Sequence, residues 1–388
     1  MKKIARLSLV AAVAVAGLST SAMADSLAEA FAKSKVKGEI KSLYFQKEKE
    51  TGANAKSSIW SNGGNLSLTT GSYYGLKAGV TFQTAHATAV EDDANNYKKD
   101  MNTSGSVMSQ AYLAYSLGNT TAKVGRQYIK TPLVAGSGSR IFKQSFEGVV
   151  LFNTDIPDTT LVAAYVDKYQ NRTAYAGDTS EPIGDEPQFE QVADGAYTLY
   201  VKNKSITDLT IQAQYAQVNA LAGSEDTKHF YADASYKLSP ITISAQTYQT
   251  DNGAATKSDA TAYGVKVAAK IAGFNVAAAY STIDDEADVE SGLGSGADKL
   301  YSGSPIVGGI YDADTDAYRL DLGYKFSNGL GLATSYSNWE TGSAKDTSET
   351  NLTVSYKMNK NLSTKIMYSS FDNYSYDYRS RVYVSYKF

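Results

Sequence analysis

Tyr378-Arg379-Ser380-Arg381-Val382-Tyr383-Val384-Ser385-Tyr386-Lys387-Phe388 alternates along its whole length, with Val382, Val384, Tyr386 and Phe388 in one parity and Arg379, Arg381, Ser385 and Lys387 in the other. Successive side chains of a strand point to opposite faces, so the stretch reads as a strand with one apolar and one basic face. The alternation runs up to the final carboxylate. A soluble chain has no physical reason to stop in mid-strand on Phe, whereas Tyr386 and Phe388 resemble the carboxy-terminal signal that outer-membrane assembly machinery reads.

Working back from that strand, period-two alternation bounded by turn residues predicts strands at about 36–46, 60–71, 75–84, 108–117, 120–127, 146–156, 159–169, 195–203 and 207–217. Nine more follow at about 228–238, 240–250, 260–271, 274–283, 316–326, 330–341, 349–358, 361–371 and 378–388. The connections alternate between tight turns (Gly118-Asn119, Pro157-Asp158, Ser239-Pro240, Ala272-Gly273) and long loops near 85–107, 128–145, 170–194 and 284–315. Short turns at one end and long loops at the other are the habit of transmembrane antiparallel β-barrels, the long set being extracellular. The expected fold is therefore all-β: an eighteen-stranded transmembrane barrel whose even count lets the last strand pair with the first and remove the sheet edge.

Alternation alone does not separate a lipid-facing wall from the core of a soluble β-protein. The polar parity does, because it is charged: Lys37, Glu39 and Lys41 alternate with Val36, Gly38 and Ile40, and Arg319, Asp321 and Lys325 with Leu320, Leu322 and Tyr324. A wet interior accommodates such charges and a packed core does not. Tyr73, Tyr74, Tyr115, Tyr236, Tyr324, Tyr356 and Tyr386 gather near strand ends, with Trp60 and Trp339 at the loop ends of theirs, as two interfacial girdles would require.

Residues 1–24 carry Lys2, Lys3 and Arg6, then an apolar run over 7–18, then Ala22, Met23 and Ala24, the layout of a cleavable secretory signal. Twelve apolar residues fall short of the roughly 20 a helix needs to cross the hydrocarbon. The expected domains are thus a signal peptide at 1–24 and one barrel at 25–388. Removing three basic residues from 37 basic against 40 acidic leaves a net charge of minus 6, which argues against a nucleic-acid partner. The absence of cysteine excludes disulfides and thiolate metal sites.

Gly125-Arg126-Gln127, Thr131-Pro132-Leu133, Ser139-Arg140 and Gln144-Ser145-Phe146-Glu147-Gly148 resemble the third-loop region of OprD-family outer-membrane porins. Ser26-Leu27-Ala28-Glu29-Ala30-Phe31, followed by Val36-Lys37-Gly38-Glu39-Ile40 and Tyr44-Phe45, is similar to the start of the same family. The resemblance covers the whole chain in layout but these two patches in motif. It implies an eighteen-stranded channel whose third loop, about 128–145, folds into the lumen opposite a ladder of basic wall residues, passing small hydrophilic solutes such as carboxylates or amino acids. The chain also looks like Campylobacter-type major porins, which implies a homotrimer and a preference for cations. It lacks a long arginine run in the third loop, which weakens the implication of strict carboxylate specificity.

A constriction works by opposing charges at close quarters. The third loop offers Lys130, Arg140 and Lys143, with Arg126 and Glu147 at its edges, and Arg140 and Glu147 could equally form an ion pair pinning the loop. Strand parity turns Lys41, Lys365, Arg379 and Arg381 inward on three strands that closure makes neighbours, a basic ladder with Arg379 outermost and Lys41 and Lys365 near mid-height. Asp284, Asp285, Glu286, Asp312 and Asp314 make one long loop acidic, as Asp178, Glu181, Asp185, Glu186 and Glu190 do another. Such a mouth enriches cations, or binds divalent ions that bridge lipopolysaccharide, or is solvation alone. Asp312, Asp314 and Asp316 have the spacing that opens a calcium loop, without its glycine and closing glutamate. No other cofactor is implied. His86 in a loop and His229 at a strand end have no serine or metal partner by motif, so no enzyme is expected. The expectation is a water-filled pore for passive diffusion through the outer membrane; the alternatives are an adhesin or structural protein with a plugged barrel, and a barrel enzyme.

Overall fold

In the computed structural model the described residues are 24–388 except 50–55, 90–103, 173–188, 222–224, 252, 254–257, 298 and 345, so the expected signal peptide up to residue 23 and most of the acidic loop at 170–194 lie outside them. Among the described residues are one short helix, α1 (Leu27–Ala32), and eighteen strands. The first nine are β1 (Lys35–Glu48), β2 (Lys56–Thr69), β3 (Leu76–Ala89), β4 (Gly105–Leu117), β5 (Thr120–Gln127), β6 (Phe146–Asn153), β7 (Thr159–Gln170), β8 (Phe189–Asn203) and β9 (Leu209–Val218). The rest are β10 (Thr227–Leu238), β11 (Ile241–Asp251), β12 (Ala260–Ile271), β13 (Phe274–Ile283), β14 (Thr315–Lys325), β15 (Leu330–Thr341), β16 (Thr347–Lys357), β17 (Leu362–Asp372) and β18 (Tyr378–Lys387). Each alternating segment of the sequence is one of them. The boundaries differ most where polar residues lengthen a strand beyond its apolar stretch: β3 runs on through His86 to Ala89, and β8 begins at Phe189. His86 is therefore a strand residue.

Every strand is antiparallel to its neighbours, and β1 pairs with β18 from Glu39 opposite Lys387 to Glu48 opposite Tyr378, which closes the sheet. The tight turns are conformationally special: Asp158 and Asp208 have φ of 55° and 60°, and the Ala272-Gly273 turn has 50° and 87°, the left-handed pair a two-residue hairpin needs. At the turn end α1 is capped by Ser26, whose Oγ accepts from Glu29 N at 3.1 Å, and Ala30 O accepts from Gly71 N at 2.8 Å, docking the helix on the β2–β3 connection.

Ile40, Leu66, Leu113, Val265, Leu320 and Leu352 are all more than half exposed, and they lie on the outer face. The inner face carries Ser, Thr, Gln, Lys and Arg. An apolar exterior around a polar interior inverts a soluble protein and suits a barrel in lipid. Tyr74, Tyr115, Tyr236, Tyr356 and Tyr386 are exposed outward, and so is Trp60. Trp339 departs from the expected girdle: it is buried, pairs with Ala317, and stacks edge-on against Tyr374 at 6.1 Å. Its parity is that of the lumen.

Candidate functional site

The loop at 128–145, which follows β5, is tied to two separate parts of the wall by glutamine amides. On β9, Gln214 Oε1 accepts from Leu133 N at 2.8 Å and its Nε2 donates to Thr131 Oγ1 at 2.8 Å. On β3, Gln83 Oε1 accepts from Lys143 N at 2.9 Å and its Nε2 donates to Lys143 O at 3.0 Å. Ile141 and Phe142 are fully buried among Leu43, Phe45, Ile59 and Val107 on the inner face of β1, β2 and β4. Residues 131–143 thus cross the lumen. A primary amide can answer both a backbone donor and a backbone acceptor, so a buried glutamine holds irregular chain without leaving an orphan.

The loop at 284–314 also enters. Its Leu293 pairs with Val134: Ala135 N donates to Leu293 O at 3.0 Å and Leu293 N to Leu133 O at 2.8 Å. Gly292 is needed there, since a Cβ would lie 2.4 Å from Leu133 O. Gln144 Oε1 joins the two loops, accepting from Ser137 N at 3.1 Å and Ser295 N at 3.0 Å. Further along, Tyr301 N donates to Gln246 Oε1 on β11 at 3.1 Å, and the amides of Ile306 and Val307 both donate to Glu349 Oε2 on β16 at 3.3 Å. Two loops, braced to each other and to the wall, leave an opening beside β1, β17 and β18.

Two cavities mark that opening. The outer, of about 540 Å³, is lined by Arg140, Arg172, Arg379 and Arg381, with Tyr374 and Tyr376. The inner, of about 770 Å³, is lined by Lys41, Lys143 and Lys365, with Glu39, Tyr128 and Tyr383. Both are bounded by Ser139, at which they meet. The four ladder residues Lys41, Lys365, Arg379 and Arg381 and the loop residues Arg140 and Lys143 are thereby brought to one passage, arginines outside and lysines inside. Aromatic faces lie against several: Lys143 Nζ is 3.9 Å from the Tyr128 ring centre, Lys365 Nζ 4.4 Å from that of Tyr383, and the Arg381 guanidinium 5.8 Å from that of Phe45. Burial, reinforced by the charges of Lys130 and Lys41, holds the Lys143 ammonium below the usual lysine range. Burial likewise pushes the Tyr128 hydroxyl up to about 12.

Three of the expected loop residues stand elsewhere. Arg126 shares the parity of Val124 and Glu147 that of Val149 and Leu151, all three of them exposed on the outer face. Arg126 Nε donates to Glu147 Oε2 at 2.8 Å and its guanidinium lies 4.1 Å from the Phe189 ring centre. The ion pair foreseen between Arg140 and Glu147 is thus made by Arg126, because one strand step separates lumen from exterior. Lys130 is exposed and lines neither cavity. Of the acidic residues, Asp285, Glu286, Asp312 and Asp314 are exposed at the two ends of the 284–314 loop, while Asp284 Oδ2 accepts from Thr261 N at 2.8 Å. Among the described residues no group of three or more His, Cys, Asp or Glu could hold a metal ion; Asp316 accepts instead from Tyr280 Oη at 2.5 Å. The sequence reading missed Arg172, whose Nη1 donates to Ser137 Oγ and Ser139 Oγ at 3.2 Å each, as well as the glutamine anchors and Glu349.

A closed barrel with an apolar exterior and a charge-lined interior defines a channel for passive diffusion across the outer membrane rather than an adhesin. The sequence pattern of the family described as Gram-negative porin matches residues 9–375, and the chain belongs to that family. Its fold is that of the OprD-type porins. It is similar to Pseudomonas aeruginosa OccK3 (OpdO), with a TM-score of 0.75 and 18% identity over 93% of this chain and 97% of that one. P. aeruginosa OpdQ gives 0.72 and 18% over 93% and 99%, and Acinetobacter baumannii OccAB4 gives 0.73 and 15% over 92% and 98%. No curated protein matches the sequence closely enough to serve as a relative. Family and fold indicate a channel rather than an enzyme.

Proposed function

We propose that this porin passes small hydrophilic anions, carboxylates and amino acids among them, by passive diffusion through the opening beside β18. One observation carries the reading: both sides of the passage are basic, Arg140 and Lys143 on the loop facing Lys41, Lys365, Arg379 and Arg381 on the wall, and among the described residues the acidic one lining the two cavities is Glu39, which lies 3.6 Å from Lys41 and 3.7 Å from Lys387. In a confined lumen such charges raise the local concentration of anions and repel cations. The exposed acids of the 284–314 loop act before that point, at the rim, where salt screens them within about 8 Å. They set what gathers at the mouth; the passage sets what crosses.

Reconstitution in a planar bilayer tests this directly. Stepwise conductance with a reversal potential favouring chloride over potassium is expected, and a cation-selective channel would refute the anion reading. Three partners complete the proposal. Outward-facing Tyr386 and Phe388 present the assembly signal to the outer-membrane machinery, which alanine at both positions should abolish in an assembly assay. A homotrimer rests on resemblance to the Campylobacter-type porins, and native mass spectrometry of detergent-extracted protein decides it. Lipopolysaccharide is the expected outer-leaflet neighbour; its co-purification after removal of divalent cations would show that the acidic rim is not needed to hold it.

A further inference from the structure

The outer surface of the barrel is not the same all the way round. At the loop ends of the strands an aromatic girdle runs through Tyr197 on β8, Phe230 on β10, Tyr263 on β12, Tyr280 on β13, Tyr318 on β14 and Tyr368 on β17, each between 39% and 55% exposed. Register carries it from strand to strand, for Tyr280 stands opposite Tyr318 on one side and Val265, two residues from Tyr263, on the other. Trp60 on β2 continues it. Between Trp60 and Tyr165 on β7, however, the outward residues at the loop ends are Thr84 and His86 on β3, Ser106 on β4, Arg126 on β5 and Glu147 on β6. Aromatic rings suit the boundary between hydrocarbon and headgroups, whereas a charge on the lipid face is disfavoured the more deeply it lies.

The backbone of this sector is also distinct. Among the described strands β5 and β6 are the shortest, at eight residues each, and they carry Arg126 and Glu147 next to their loop ends. Register shifts fall at Thr81/Phe82 between β3 and β4 and at Glu147/Gly148 between β6 and β7. Such bulges bend a strand and re-aim its side chains. The second sets Lys168 opposite Glu147, so that Arg126, Glu147 and Lys168 form a row with contacts of 2.8 and 3.8 Å, and Asp167 lies 3.9 Å from Lys168. Their side chains are 30–39% exposed, within reach of a neighbouring surface. Two basic and two acidic groups leave the row without net charge. It therefore has no long-range pull on the phosphates of lipid headgroups, and it complements a surface that offers both signs at the same height. A second copy of the same row is such a surface.

We propose that the outer face of β3 to β6 is where copies of this porin meet, with Leu113, Val124 and Val149 packed between the barrels and the charged row exchanging partners above them. The three apolar side chains are 56%, 54% and 42% exposed on that face. Four strands about 4.8 Å apart across an apolar band about 25 Å tall offer roughly 500 Å² per copy. A pair of copies thus buries about 1,000 Å², which reaches what a specific interface needs. The proposal rests on the homotrimer reading above and deepens it by naming the contact face.

The chain contains no cysteine, so a single introduced thiol reports on its own surroundings. Thr84→Cys, Leu113→Cys and Val149→Cys are made one at a time, with Val265→Cys on β12 and Leu320→Cys on β14, about half the girth away, as controls. Isolated outer membranes are treated with a bifunctional maleimide, products are read by denaturing electrophoresis, and heat-modifiability confirms that each barrel is folded. Cross-linked product from at least one of the first three, and from neither control, is expected. Native mass spectrometry of Arg126→Ala/Glu147→Ala should show the mass of three copies lost to that of one, with the single-channel conductance retained because neither residue lines the passage. If that variant does not fold, the cysteine series alone decides. An oligomer that cross-links at the controls, at both faces alike, or at none of the five positions would overturn the contact face and leave the homotrimer reading intact. A wild-type protein of one copy overturns both, and lipopolysaccharide held by that single copy and lost with Arg126→Ala would assign the sector to lipid instead.

Discussion

Phe388 and Gly38 exchange two backbone hydrogen bonds, Gly38 N to Phe388 O at 2.9 Å and Phe388 N to Gly38 O at 3.0 Å, and the Phe388 ring fills the space a side chain at position 38 would need. A Cβ there would stand 2.2 Å from Cζ of that ring. The closing seam is thus packed at its inner end by an aromatic over a glycine. Gly38→Val should displace the ring at a cost of roughly 1–3 kcal/mol, the usual range for overpacking. The expected result is a lower yield of folded, heat-modifiable barrel on electrophoresis, with Gly38→Ala intermediate. Wild-type yield from Gly38→Val would show that the ring is free to move.

Glu349 is fully buried and accepts from two loop amides and, at 2.8 Å, from Ser369 Oγ. Glu349→Ala strands those donors, at about 1–3 kcal/mol each where no water replaces the carboxylate. The 284–314 loop should lose its hold on β16. Larger and noisier single-channel currents are expected, and Glu349→Gln, which keeps an acceptor, should fall between. Quiet wild-type currents from the alanine variant would mean that the pairing with the 128–145 loop is sufficient.

Lys143 is held below the usual lysine range by burial and by neighbouring Lys130 and Lys41. For a base a lowered pKa means the charge leaves earlier as pH rises, so part of the passage's positive charge is lost at a pH where an ordinary lysine still carries it. Anion selectivity should therefore start to decline below the usual lysine range. Lys143→Met should lower selectivity at neutral pH and remove that early decline. A profile that keeps its early step in the variant would assign the step to another group.

The strands were legible because a two-residue period is the most direct imprint a wall leaves on a sequence, and the charged inner parity of β1, β14 and β18 separated a wet lumen from a packed core. The ladder followed from the same parity. Parity also explains the failures. Arg126 and Glu147, expected at the edges of the constriction, sit within the predicted strands but one step from the lumen face. Residues 291–310, rich in Gly and Ser, have no period, so nothing in them announces that the loop turns inward and pairs with Val134. Gln83, Gln214 and Gln246 read as ordinary polar wall positions, and their role exists only once a loop arrives to be held. Arg172 is a lone basic residue at the edge of a loop, with no pattern to distinguish it.

On the proposed function, the basic passage beside β18 sets the ion preference. Reversal potentials in a potassium chloride gradient, measured for the wild-type porin and for Arg140→Gln/Arg381→Gln, test it most directly. Anion selectivity is expected in the wild type and a shift towards cations in the double variant, with conductance retained. Equal reversal potentials in the two proteins would contradict it.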